Sequence, residues 1–280
     1  MLKVKKAVRE EIFGDDREFD SPHAPTVLPL KNNDVLAAWF GGRFEKDPDT
    51  AIWTAKRLNG VWQKPKKTVD VMNIAAWNPV LFRLNNDRII LYFKLGSEIP
   101  KWHTEYVYSD DEGKTWSSPK ELVKGDIGGR GPVKNKPIYL SDNKTILAPA
   151  SLEGDSWNSF ADISDDNGET WEKSEFVPIR RINPNERRIR DRVYNKTFCF
   201  GKGIIQPTIW EDDENIVHML FRSTSSRIFK SDSYDMGRTW NLAYDTGLPN
   251  NNSGIDAVKL PNGTLVLAYN PRENIPGMTK

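Results

Sequence analysis

Apolar residues along this chain fall in short runs rich in Val, Ile, Leu, Phe and Trp, separated by clusters of Asn, Asp, Gly and Pro. Runs of that kind, bounded by turn formers, predict strands joined by hairpins. No stretch of about a dozen residues keeps helical periodicity behind a good cap. No apolar run approaches the ~20 residues that a membrane-spanning helix needs.

The strand pattern repeats. One element reads proline, short strand, Asn/Asp-rich turn, second strand: PTVLPLKNNDVLAAW from Pro25, PVLFRLNNDRIILYF from Pro79, PIYLSDNKTILAP from Pro137 and PTIWEDDENIVHML from Pro207. An octapeptide Ser-x-Asp-x-Gly-x-Thr-Trp accompanies it as SDDEGKTW (Ser109–Trp116), SDDNGETW (Ser164–Trp171) and SYDMGRTW (Ser233–Trp240), with a worn copy expected at Leu58–Trp62. The tryptophans lie 54, 55 and 69 residues apart, and the proline-to-tryptophan intervals are 37, 37, 34 and 33. A unit of roughly 45–55 residues made of short strands predicts an all-β propeller with four strands per blade. Four blades are near-complete, and DAVKLPNGTLVLA (Asp256–Ala268) starts a fifth, with Asn262-Gly263 as its hairpin turn. We therefore expect one propeller domain over residues 1–280, either closed by its N-terminal segment or lacking its last blade or blades.

Composition narrows the function. Lys and Arg total 40 against 39 Asp and Glu, a formal charge of +1, which offers no general attraction to nucleic acid or an anionic membrane. The single cysteine, Cys199, excludes an internal disulfide, and the N-terminus shows charge without an apolar stretch, so a cytoplasmic location is expected. His23, His103 and His218 are scattered and no Cys/His cluster exists, so neither a metal nor another cofactor is expected. The octapeptide reads as a turn staple in an outer hairpin: Asp accepts backbone N–H groups, Gly supplies positive φ and Trp packs between sheets. Gly128-Gly129-Arg130-Gly131-Pro132 lacks the ending of a phosphate loop and reads as a crossing between blades, though Arg130, Lys134 and Lys136 are cations that an anionic substrate would meet. The arginine-rich run Arg180–Arg192 reads as a solvated insertion, with a basic lip over a substrate mouth as the alternative.

The octapeptides resemble the Asp-box (BNR) repeats of the sialidase superfamily, whose propellers are six-bladed, across about residues 22–270. Trp77-Asn78-Pro79 resembles the Met-Asn-Pro that opens the second blade of animal-type sialidases, and Leu220-Phe221-Arg222-Ser223 resembles the strand carrying the second arginine of their triad. The loop Arg43–Asp49 falls where that family holds its acid/base aspartate. GGRGPVKNKPI, GKGIIQPTIW and LPNNNSGID are most similar to bacterial and plant sialidase-like BNR proteins. His23-Ala24-Pro25 stands where sialidases have Arg-Ile-Pro, and the family's third arginine and tyrosine nucleophile fall beyond Lys280.

A propeller gathers the starts of its inner strands at one axial mouth. That places His23, Asn78, Lys136, Gln206 and Asp256 around the channel, with Arg43, Asp47, Asp49, Arg222 and Tyr269 on adjoining loops or strands. The resemblance implies an exo-glycosidase acting on an acidic sugar, sialic or uronic, and hence an acidic glycan or oligosaccharide as partner. Asp47, Asp49 and His23 are then the catalytic candidates, and Arg43, Asn78, Lys136, Gln206, Arg222, Asp256 and Tyr269 the substrate-binding ones. A uronate-directed lyase, with His23 or Tyr269 as base, and a non-catalytic glycan-binding propeller are the alternatives.

Overall fold

The computed structural model describes residues 7–182 and 196–273, with no α-helix among them. Strands β1 (Ser21–Pro29), β2 (Val35–Gly42), β3 (Ala51–Leu58) and β4 (Val61–Trp62) form the first antiparallel blade, to which β5 (Lys66–Val69) adds against β3. The second is β6 (Ala76–Arg83), β7 (Ile89–Leu95), β8 (His103–Ser109) and β9 (Lys120–Glu121). The third is β10 (Ile138–Tyr139), β11 (Ile146–Glu153), β12 (Trp157–Ser164) and β13 (Glu172–Lys173). A small parallel pair, β14 (Arg180–Ile182) and β15 (Phe198–Phe200), precedes the fourth blade of β16 (Ile204–Glu211), β17 (Val217–Ser223), β18 (Arg227–Ser233) and β19 (Tyr244–Pro249). In the fifth, β20 (Asp256–Lys259) and β21 (Leu265–Ala268) pair with each other. This is the expected propeller of four blades and a partial fifth. Arginine-run residues 183–192 lie outside the described residues, so the basic-lip reading meets no structure there.

The core lies between blades. Leu36, Phe40 and Ile52 of the first blade pack with Trp77, Leu81 and Leu91 of the second. Val80 and Tyr92 of the second meet Ile146 of the third. Leu147 and Ile163 of the third meet Ile209, Phe221 and Phe229 of the fourth. The second and third sheets are therefore buried on both faces, and their middle strands read as nearly continuous apolar runs instead of alternating ones. The described part of the N-terminal segment, from residue 7, does not close the ring against the fifth blade. It lies on the first: Glu10 forms a two-bond pair with Arg57, and Phe19 packs against Trp39 and Trp53.

Each octapeptide begins on the last residue of a third strand and runs through the turn before the fourth. In the first, Asp111 accepts the backbone N–H groups of Lys114 and Thr115, both at 2.9 Å, and the Thr115 hydroxyl at 2.7 Å, while Gly113 N–H donates to Ser109 Oγ at 2.8 Å. The same network surrounds Asp166 and Asp235. The turn then delivers its tryptophan to the preceding blade. Trp171 stands edge-on to Tyr92 at 6.4 Å, and Trp240 Nε1 donates to Ser174 Oγ at 3.2 Å. The expected worn copy at Leu58–Trp62 is something else. Asn59 and Gly60, with φ of 50° and 87°, make a two-residue hairpin between β3 and β4, and its Asn59 N–H donates to Asp34 Oδ1 at 2.8 Å, a carboxylate from another turn instead of one within the motif.

The backbone and hydroxyl donors of Thr115 hold the Asp111 carboxyl well below the usual carboxylate range. A depressed folded-state value contributes stability above the unfolded value and loses it as pH falls toward the folded one. Asp111→Ala should lower unfolding free energy near neutral pH by about 1–2 kcal/mol, the lower part of the range for hydrogen bonds to a charged group because the turn is partly exposed. Denaturant titrations should show this gap narrowing steadily below about pH 4.

Candidate functional site

Three inner strands share one distortion. The register slips between His23 and Thr26 in β1, between Trp77 and Val80 in β6, and between Ile205 and Thr208 in β16. At each slip the residue before the proline is left-handed: Ala24 (φ 50°), Asn78 (42°) and Gln206 (49°). A bulge re-aims the chain, and a non-glycine residue held at positive φ ahead of a proline stores about 1–3 kcal/mol that surrounding packing must offset. The distortion turns the strand starts toward the axis, where Ala24, Asn78 and Gln206 all line one cavity of about 740 Å³. In the third blade Lys136 precedes Pro137 without this twist, and β10 is only Ile138–Tyr139.

The cavity is polar and carries two cations. Arg222, from β17, donates from Nε to Asn252 Oδ1 and from Nη1 to Gln206 Oε1, each at 2.9 Å. Both partners are neutral amides, and among the described residues no carboxylate lies within ion-pair distance of this guanidinium. Gln206 Nε2 passes the contact on to Glu153 Oε1 at 3.0 Å. Burial raises the Glu153 carboxyl above its usual range, and the same effect disfavours charge on Arg222. The second cation is Lys134, which lines the cavity with no hydrogen bond or ion pair from its ammonium to the described residues, and burial lowers its pKa.

The structure brings His23, Asn78, Gln206, Arg222, Asp256 and Tyr269 together on this one lining. Four other sequence candidates stand apart from it. Lys136 pairs with Asp256 at 2.6 Å and lies outside the lining; Lys134 takes the place that counting back from Pro137 gives to Lys136. Arg43, Asp47 and Asp49 form their own cluster: Arg43 reaches Asp47 at 3.0 Å and Asp49 at 3.3 Å, and Asp47 is only 2% exposed. The bond that Asp47 accepts from the Asp49 backbone N–H, together with Arg43, lowers its pKa despite burial. The carboxylate of that loop which does line the cavity is Glu45, with Lys46 beyond it at φ 81°. Sequence reasoning left Glu45 and Asn252 out, and named Lys134 only as a cation that an anionic substrate would meet. Their signal was position alone, inside segments already singled out.

The loop that carries Lys134 is pinned from both sides. Arg130, a cation first considered for the substrate, is instead half-buried and paired with the buried Asp162 at 2.6 Å. The fully buried Lys94 donates to Thr104 Oγ1 at 2.6 Å and to the Arg130 carbonyl at 2.9 Å. Among the described residues no group of three or more His, Cys, Asp or Glu is placed to hold a metal ion.

The arrangement defines a β-propeller, bulged at its inner strands and with a cationic mouth. Residues 33–276 match the BNR repeat-like domain, and the chain belongs to that family. A sialidase of Clostridium perfringens is 33% identical over 101 residues, a stretch that spans 30% of this chain and 25% of that protein. The fold is similar to a Dyadobacter fermentans protein of unknown function (TM-score 0.68, 17% identity, covering 89% of this chain and 74% of the other). It is also similar to the intramolecular trans-sialidase of Ruminococcus gnavus, solved with oseltamivir carboxylate (TM-score 0.70, 14% identity, 94% and 80%).

Burial pushes the Lys94 ammonium from its ordinary 10.5 down to about 8, against the pull of Asp162, Glu153 and Asp126. Between those two values the unfolded chain binds the extra proton, so stability should rise with pH across that window. Lys94→Met should flatten the rise in denaturant titrations between pH 8 and 10.5. A wild-type profile without that slope would contradict the buried-ammonium assignment.

Proposed function

We propose that this chain is a sialidase-like, glycan-active enzyme, an exo-glycosidase that seats the terminal acidic sugar of a glycan in the axial cavity. One observation carries the reading: Arg222 and Lys134 face the same cavity, and neither has a carboxylate partner among the described residues. A half-buried guanidinium held by neutral amides keeps its charge for an incoming anion, and a sugar carboxylate supplies the planar pair of oxygens that fits it. A cavity of about 740 Å³ is within the range of small-molecule sites.

In this reading Glu45 gives the proton to the departing glycosidic oxygen, since it is the cavity-lining carboxylate of the loop. Tyr269 is the nucleophile candidate, because a carboxylate nucleophile would be repelled by the substrate's own carboxylate. Asp47 and Asp49 act on the loop, holding Arg43. Asn78 and Gln206 supply hydroxyl-binding amides. A second reading is supported by His23, whose ring stacks on Phe40 at 5.6 Å and has no hydrogen-bond partner among the described residues. In a uronate lyase the cations neutralise the carboxylate, His23 removes the acidified carbon-bound proton, and the glycosidic oxygen leaves as the double bond forms.

A substrate screen of sialosides and uronosides, read for reducing sugar and for the ultraviolet absorbance of an unsaturated uronate, separates the two readings. On the active substrate, Arg222→Ala should cost about ten- to over a hundredfold in kcat/KM, corresponding to about 1.5–3 kcal/mol for a charge-assisted contact. Arg222→Lys should recover little. Glu45→Gln should reduce hydrolysis far more than Asp47→Asn or Asp49→Asn in variants of unchanged Tm. Unaltered kcat/KM in well-folded Arg222→Ala overturns the carboxylate seat.

A further inference from the structure

A second concentration of positive charge lies away from the channel. A groove of about 260 Å³ between the first two blades is lined by Lys56 from β3, Lys64 and Lys66 around the entry to β5, and Lys114 from the first octapeptide turn. It shares no residue with the axial cavity. The chain as a whole is nearly neutral, so four ammonium groups on one groove are a local accumulation that composition does not force.

The carboxylates that would neutralise them are committed elsewhere. Asp111 is occupied by the donors of its own turn. Glu112 forms a two-bond pair with Arg83 at 2.7 and 2.9 Å. Lys64 has only a distant contact with Glu18, 3.9 Å away on an exposed side chain. The ammonium groups of Lys56, Lys66 and Lys114 have no ion pair with the described residues. Lys56 is half-buried, its stem lying against the Gly113–Trp116 turn, and burial with repulsion from Lys114 and Lys66 lowers its pKa despite the attraction of Asp111. Two strands, the loop between β4 and β5, and a turn thus hold like charges together, and the nearby Asp111 and Glu112 attract Lys56 without forming an ion pair with it.

We propose that this groove binds a tetrahedral oxyanion, a sulfate or phosphate ester on a ligand that reaches the rim between the first two blades. Lysine is the fitting residue for such a group: a compact charge with rotatable donors, able to approach a tetrahedron of oxygens from several sides. No arginine lines the groove to offer a planar fork, and the neighbouring Arg57 is already paired with Glu10 at 2.6 Å. The volume suits one charged group with part of the unit that carries it.

The test titrates the full chain at low ionic strength with two probes, a fully sulfated disaccharide and inorganic pyrophosphate, by calorimetry. A uronic-acid trimer serves as the carboxylate comparison. Saturable one-to-one binding of a sulfated or phosphorylated probe is expected, with the stronger of the two naming the source. Lys56→Gln/Lys66→Gln/Lys114→Gln should weaken it at least tenfold. Lys101→Gln/Lys124→Gln/Lys202→Gln, which removes the same charge outside the groove, should change it less than threefold. If the first variant folds poorly, Lys66→Gln/Lys114→Gln on exposed positions should still show a loss of several fold. Equal weakening by both triple variants, binding only of the carboxylate trimer, or no saturable binding of either probe overturns the proposal.

Discussion

A carboxylate that accepts two backbone N–H groups and a hydroxyl has little freedom left. Three such carboxylates, Asp111, Asp166 and Asp235, decide where the outer hairpins of three blades point. The rest of the octapeptide serves that constraint. The glycine gives the turn its left-handed step and brings bare backbone against the second strand of the neighbouring blade. A Cβ on Gly113 would stand 3.2 Å from Leu36, and one on Gly237 would stand 2.8 Å from Leu147. The tryptophan then covers the apolar surface that this close approach creates. Blade spacing at the rim is therefore set by hydrogen bonds inside a turn, and the large aromatic contact area is arranged around them.

At the axis the opposite logic holds. There the strands are bent out of their best conformation at Ala24, Asn78 and Gln206, and Arg222 and Lys134 are kept without an ion-pair partner among the described residues. Such features are unfavourable on their own and persist because two-sided blades supply a surplus of burial. The Arg130–Asp162 and Lys94 contacts also belong to this economy. They fix the loop before the third blade so that Lys134 meets the cavity, and they hold it by charge where the short β10 gives little sheet pairing.

The fold was legible because its signals repeat. Two independent motifs with matching spacing fix blade number and hairpin position even where a single strand is ambiguous. The hairpin Asn59-Gly60 misled only by sharing glycine and tryptophan with the octapeptides, while lacking their aspartate. Placement on the cavity lining was legible where the strand start followed the common bulge, as with Asn78 and Gln206. Placement differed from expectation where local geometry departed from the repeat. Counting from Pro137 pointed to Lys136, but the third blade lacks the bulge and its neighbour Lys134 faces inward. In the loop before β3, a left-handed Lys46 separates a cavity-lining Glu45 from a buried Asp47, and no sequence period announces such a reversal. Nor does sequence show that Asn252 would hold Arg222, thirty positions away.

The tryptophan contacts all run one way: each octapeptide closes the face of the blade before it. During synthesis a blade therefore leaves the ribosome with one apolar face still open and waits for about one further repeat to emerge before it is sealed. Assembly of this chain is a relay from the N-terminus, in which the newest blade is always the unfinished one. The first blade has its open face covered differently, by the aromatic segment of Phe13 and Phe19.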